Sequence, residues 1–147
     1  MEKAKSQYPS TEDLFNIIQS SPESFFDSDL QATLQNSDVM FTDFLKAEMA
    51  EANVSPHDLI IRSTLSKSHL YLILSGERHP SRDIVIVLAI ALGLPLDKTQ
   101  RMLKLSQKSE LYPRVRRDAA IMCCIEQNRS LTDTNEFLTS ISEKALL

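Results

Sequence analysis

Glycine is nearly absent from this chain, whose 147 residues contain only Gly76 and Gly93. There are six prolines and no tryptophan. So few turn-forming residues argue against a β-rich fold with many tight turns. They also exclude a glycine-rich phosphate loop. Cysteine is limited to the adjacent pair Cys123 and Cys124. On a helix these point roughly 100° apart, which suits neither a zinc site nor a structural disulfide. They are expected to be buried thiols in a reducing compartment, with the cytoplasm as the natural location. Long hydrophobic runs are also missing. The most apolar run, Ile84 to Leu96, has thirteen residues, too few to cross a bilayer and better suited to a core helix. MEKAKSQYPSTEDLF at the N-terminus has no apolar stretch before its acidic residues, so no secretory signal is expected.

What is present is ordinary for a globular protein: 42% hydrophobic and 24% charged residues, enough for one domain or two very small ones. Glycine-poor apolar segments with helical spacing predict an all-α protein. The net charge of -4 does not favour nucleic-acid binding for the chain as a whole. Its distribution is uneven. Residues 1–40 sum to -5, residues 41–106 to +1, and residues 107–147 to zero. The sequence accordingly divides into an acidic helical N-terminal extension (1–38), a central domain (39–106) and a C-terminal helical pair (107–147).

Residues 1–10 read as frayed. Ser10 or Thr11 can cap a helix whose face is Leu14, Phe15, Ile17 and Ile18. Pro22 can start a second short helix anchored by Phe25 and Phe26, and residues 28–36 are weakly helical. Phe41 to Asn53 shows a clearer amphipathic face, with Glu48 as its polar exception. Ser55 and Pro56 open the next helix, which ends near Ser63 and Thr64. Ser66 caps another with a Leu70, Ile73 and Leu74 stripe, and Gly76 stops it. Ser81 caps a helix through Leu92, ended by Gly93. Asp97 begins or caps a shorter one. A helix over roughly 114–127 and a last one capped by Thr132 complete the chain. Placing Arg82-Asp83 on Arg117-Asp118 gives a constant offset of 35 residues. It matches Ile86 with Ile121, Ile90 with Ile125, Leu96 with Leu131, Thr99 with Thr134 and Leu103 with Leu138. Either a repeated helical pair or the shared periodicity of amphipathic helices produces such matches.

The richest segment is Ser55 to Asp83, which holds all three histidines and four of the sixteen Lys and Arg. It reads as two short helices joined by a tight turn, a geometry in which one helix crosses the phosphate backbone and the next meets base edges. Lys67, Ser68 and Tyr71 are candidates for the groove-facing side, and His69 for the groove or its rim. Ser55, His57, Arg78, His79 and Arg82 are candidate phosphate contacts. A mildly basic solvated surface is the bland alternative.

This region resembles the lambda-repressor-like helix-turn-helix family, the Xre-type regulators, over about residues 39–106. The resemblance rests on a five-helix layout and on SKSHLYLILSGERHPS, with Ser66, Gly76, Arg78, Pro80 and Ser81 at the family's typical positions. It implies a lambda-repressor-like five-helix domain with helical N- and C-terminal extensions. It also implies sequence-specific binding of double-stranded DNA in transcription regulation, usually as a homodimer. The family's groove-reading positions fall on Lys67, Ser68, Tyr71 and Leu72, and its backbone contacts near Pro56, His57, Arg78 and Arg82. Ile60 stands where the family usually has a small residue, and Thr64 where its turn usually begins with glycine. Leu72 can touch a thymine methyl or dock a protein partner, so the alternative is a protein-interaction module on the same scaffold. The clustered Arg114, Arg116 and Arg117 are either a charged helix start or a second phosphate or acidic-protein contact.

Nothing points to an enzyme, a cofactor or a metal. No nucleophile–base pair has motif support, and His57, His69 and His79 are twelve and ten residues apart. No basic amphipathic helix suggests membrane association.

Overall fold

The computed structural model describes residues 10–20 and 37–147. Among them are eight helices and no strand: α1 (Thr11–Ser20), α2 (Ser37–Ala52), α3 (Pro56–Ser63), α4 (Lys67–Leu74), α5 (Arg82–Ala91), α6 (Leu96–Leu105), α7 (Arg116–Glu126) and α8 (Leu131–Ser140). The all-α class expected from sequence is what the described residues adopt. Helix α1 falls in one compact unit and residues 37–147 form another. In α1, Ser10 Oγ accepts from the Asp13 N–H at 3.1 Å, and the Asp13 carboxylate accepts from the Ser10 N–H at 3.4 Å. Ser10 rather than Thr11 is thus the cap. Phe15 and Ile18 are exposed on this helix. The Leu14 and Ile17 side chains, the frayed segment over 1–9 and the helices expected around Pro22 and over 28–36 lie outside the described residues.

Helices α2 to α6 enclose the main core. Contacts run α2 to α4 and α6, α3 to α4 and α5, and α5 to α6. Leu45, Leu59, Leu70, Ile73, Ile86, Leu88, Met102 and Leu103 are fully enclosed. Each such side chain stabilises the fold by about 1.5–3 kcal/mol relative to exposure. Every residue of α5 from Ile84 to Ala91 is buried, which explains why its sequence is apolar all round instead of striped. Helix α2 begins at Ser37, four residues before its expected start, and stops where Asn53 turns left-handed at φ 55°. Its polar exception, Glu48, is buried, and Lys98 Nζ on α6 reaches its carboxylate at 3.0 Å. That hydrogen bond and charge pairing raise the Lys98 pKa, opposing a smaller desolvation effect.

Helix α3 carries a full capping box. Ser55 Oγ accepts from the Asp58 N–H at 3.1 Å, and Asp58 accepts from the Ser55 N–H at 3.2 Å. The helix ends at Thr64, which is left-handed at φ 59°, the conformation for which glycine is favoured. Ser66 then caps α4 through the His69 N–H at 3.1 Å. Gly76 follows the end of α4 at φ 82°.

Helices α7 and α8 repeat α5 and α6 in structure as well as in sequence. The turns match: Gly93 and Asn128 are left-handed (φ 67° and 53°), as are Gln107 and Ser142 (φ 59° and 62°). The Leu94 N–H donates to the Ala89 carbonyl as the Arg129 N–H does to that of Cys124, both at 3.0 Å. Gln100 accepts from the Leu111 N–H at 2.8 Å, and Asn135 accepts from the Leu146 N–H at 2.7 Å. Both leucines are buried. The alternative that helical periodicity alone made the pattern is thereby removed, since periodicity does not reproduce side-chain bonds in loops.

The two pairs contact reciprocally: α5 meets α8 and α6 meets α7, as related halves do across a two-fold. Reciprocal ion pairs join their starts. Arg82 holds Asp118 at 2.8 and 3.1 Å, while Arg117 holds Asp83 at 3.0 and 3.1 Å. Each arginine also donates to two carbonyls after its own helix pair, Arg82 to Ser109 and Glu110, Arg117 to Lys144 and Ala145. The cationic start of α7 is thus compensated from outside the helix. Helix bounds differ slightly from expectation, because Ser130 caps α8 in place of Thr132, Pro95 precedes α6, and α7 starts at Arg116.

Candidate nucleic-acid interface

Helix α4 presents one face to solvent. Lys67, Ser68, Tyr71 and Leu72 are exposed together at helical spacing, while Leu70, Ile73 and Leu74 anchor the opposite face. Tyr71 is 48% and Leu72 36% exposed. Lys67 Nζ lies 6.0 Å from the centre of the Tyr71 ring, which draws the cation and the aromatic into one surface element. No acidic side chain occupies the first turn of α4, so its N–H groups and Lys67 present positive potential together.

The remaining predicted residues divide. His69 is half-buried and turned from the exposed face, with Nε2 enclosed and lacking a hydrogen-bond partner. Burial, with a smaller effect from the Arg78 charge, lowers its pKa. Burial therefore disfavours the cationic form of His69. Ser55 and His57 are exposed at the start of α3. There the Asp58 carboxylate already sits against the helix N-terminus, and its hydrogen bonds to Ser55 lower its pKa. Positive potential is therefore weaker at α3 than at α4. Arg78 and His79 are exposed in the loop after Gly76, and the Arg78 N–H donates to the Leu72 carbonyl at 3.1 Å. Arg82 is committed to Asp118 and two carbonyls. The structure thus brings together Lys67, Ser68, Tyr71 and Leu72, with Arg78 and His79 following, and places Arg82 in an internal clasp.

Two features went unread in the sequence. Ile61 is 64% exposed on α3. Its neighbours Leu59 and Ile60 share its character, so only the helix rotation separates them. The clasp partners Asp118 and Asp83 also gave no local signal, since each arginine meets the aspartate of the other pair. Of the arginine cluster, Arg117 joins that clasp and Arg116 donates to the Ile141 carbonyl at 2.8 Å. Arg114 is exposed. Cys124 is buried as expected, and burial raises its pKa, whereas Cys123 is exposed. Among the described residues no group of His, Cys, Asp and Glu is placed to hold a metal, and no helix is long and apolar enough to cross a membrane. Comparison with family models, curated proteins and solved structures gives no match.

Proposed function

We propose that the protein is a DNA-binding transcriptional regulator, with α3 and α4 forming a lambda-repressor-like helix-turn-helix, and not an enzyme. The observation that carries this reading is the solvent face of α4. Four side chains suited to groove contact stand on a helix whose other face is locked into the core. Lys67 donates to guanine acceptors or phosphate, Ser68 to base or backbone oxygens, and Tyr71 stacks on sugar or donates its hydroxyl. Leu72 meets a thymine methyl. His57 and Arg78 hold phosphate on either side. A cytoplasmic homodimer would place two such helices about 34 Å apart, in successive major grooves.

Fluorescence anisotropy with duplexes from the protein's own upstream region tests the assignment. Replacing Lys67, Ser68 and Tyr71 with alanine is expected to abolish sequence preference with helicity unchanged. Arg78→Ala is expected to weaken all duplexes alike and reduce the salt slope by about one. Unaltered preference in the triple variant would refute the role of α4.

A second reading has its own support. Ile61, Tyr71 and Leu72 expose apolar surface on α3 and α4, and Lys67 is the one cation of α4. A protein-interaction module on this scaffold would use that surface. It would retain a partner from lysate after nuclease treatment and lose it in a Tyr71→Ala, Leu72→Ala double variant.

A further inference from the structure

The cations of the chain are concentrated in one stretch outside the α3–α4 surface. Residues 98–117 hold seven of the sixteen Lys and Arg and a single acid, Glu110. Four of the seven are committed: Lys98 to Glu48, Arg117 to Asp83, Arg116 to the Ile141 carbonyl, and Lys104 to Glu110 at 3.3 Å. The last pair also accounts for the one acid. Arg101 lies over the Phe44 ring, 5.9 Å from its centre. Lys108 and Arg114 remain. Among the described residues neither side chain has an ion-pair partner.

Arg114 stands at the tip of a built turn. The Val115 N–H donates to the Tyr112 carbonyl at 3.0 Å. This closes a β-turn with Pro113 at its second position, where the fixed φ of proline favours turning. The Tyr112 N–H donates to the Asp118 carboxylate at 3.0 Å, and Arg82 holds that carboxylate in the clasp. Tyr112, Pro113, Arg114 and Val115 are all exposed. The turn is thus fixed at its base and presents a tyrosine and an unpaired cation to solvent.

The helical repeat relates this turn to the loop carrying Arg78 and His79. The offset of 35 residues places Arg114 at the position of His79 and Val115 at that of Pro80. Both segments lead into the helix starts that the clasp joins, Arg82 to Asp118 and Arg117 to Asp83, so both emerge at the same end of the repeat. The segment carrying Lys108 connects them. Ser106 lines a small cleft with Gly76, Arg78 and His79, and Arg82 holds the Ser109 and Glu110 carbonyls. Arg78, Lys108 and Arg114 therefore follow one edge. Cations gathered there without counter-charges raise its positive potential. Strung along an edge and not set round an apolar pocket, they match a linear polyanion.

We infer that Lys108 and Arg114 form a second contact with the backbone of duplex DNA, outside the surface made by α3, α4 and the Arg78 loop; the inference rests on the DNA-binding reading of α4. The Arg114 guanidinium takes a phosphate through its fork of donors. Tyr112 donates its hydroxyl to the backbone, and Lys108 neutralises a neighbouring phosphate. Such contacts carry affinity and no sequence information.

Fluorescence anisotropy of the full chain with two duplexes of equal length, one from its own upstream region and one of scrambled sequence, tests the inference between about 50 and 200 mM salt. Arg114→Gln and Lys108→Gln are each expected to reduce the logarithmic salt slope by about 0.9 for both duplexes. The ratio of the two affinities should stay as in the parent chain, and Arg114→Lys should restore the slope. Neither side chain has an ion-pair partner, so thermal unfolding of the variants should match the parent. A parental slope retained in Arg114→Gln would overturn the inference while leaving the role of α4 intact, because that role is read separately from the loss of sequence preference in the Lys67, Ser68 and Tyr71 triple variant. Absence of salt-sensitive binding by the parent chain would overturn both. Poly-glutamate bound by the parent and lost in Arg114→Gln, with duplex binding unchanged, would overturn it in favour of an acidic protein segment.

Discussion

Thr64 shows at the scale of one residue how a departure from pattern is accommodated. It occupies the left-handed region at φ 59°, where an L-residue costs about 1–2 kcal/mol relative to its ordinary conformations. Its hydroxyl donates to the Ser63 carbonyl and lies at the surface, so nothing requires threonine for packing. Thr64→Gly is expected to raise unfolding free energy by about 0.5–1 kcal/mol, once the greater freedom of glycine in the unfolded chain offsets part of the relief. Urea denaturation of that variant beside Thr64→Ala checks it, and alanine should give no gain. Glu48 is the other instructive residue. The sequence marks it as the polar break in an apolar face, but its partner Lys98 lies on α6. Periodicity finds the anomaly and only tertiary structure finds what satisfies it.

At the scale of elements, helix starts were the most legible feature. Ser55, Ser66 and Ser81 all cap as their sequences indicate, because capping is a local exchange between a hydroxyl and an N–H three residues on. Local chemistry also explains the misses. Ser130 and Thr132 both offer a hydroxyl that can cap the helix, and the equivalence of Ser130 to Pro95 decides between them only once the repeat is accepted. The offset of 35 residues between the helix pairs was visible in the sequence. The exchange of arginine–aspartate partners was not, since it depends on how the pairs meet. Asp118 is the more enclosed acid of the clasp, its side chain 7% exposed. Burial would raise its pKa, but hydrogen bonds from Arg82 and the Tyr112 N–H outweigh this and hold it below the ordinary carboxylate range. Asp118→Asn is therefore expected to lower stability by about 2–4 kcal/mol at neutral pH, because it strands a partly buried guanidinium. A carboxylate depressed in the fold contributes in full above its unfolded pKa of about 3.9, and that contribution is lost as pH falls through the depressed folded value. The acid limb of the stability profile should therefore be shallower in Asp118→Asn than in the parent chain.

At the scale of the whole molecule, the clasp changes the map of candidate contacts. Arg82, Arg116 and Arg117 look like free cations in the sequence, yet all three hold the helical repeat together. The proposed DNA surface is therefore small. It consists of the face of α4 with Lys67, Ser68, Tyr71 and Leu72, the α3 start at His57, and the loop carrying Arg78 and His79. That face was legible because a helix with one apolar stripe has one solvent side. The inward turn of His69 and the exposure of Ile61 were not, because each depends on a rotation of part of a turn. A contact surface with few cations implies modest affinity, in which each phosphate contact contributes a slope of about -0.9 to the logarithmic salt dependence.

The most direct test is the affinity of the full-length chain for duplex DNA from its own upstream region, measured between about 50 and 200 mM salt, the range over which phosphate contacts dominate the response. Sequence-preferring binding that weakens steeply with salt, and loses its preference when Lys67, Ser68 and Tyr71 are replaced, is the expected result. Absence of salt-sensitive binding by the protein in its native oligomeric state would contradict the DNA-binding assignment.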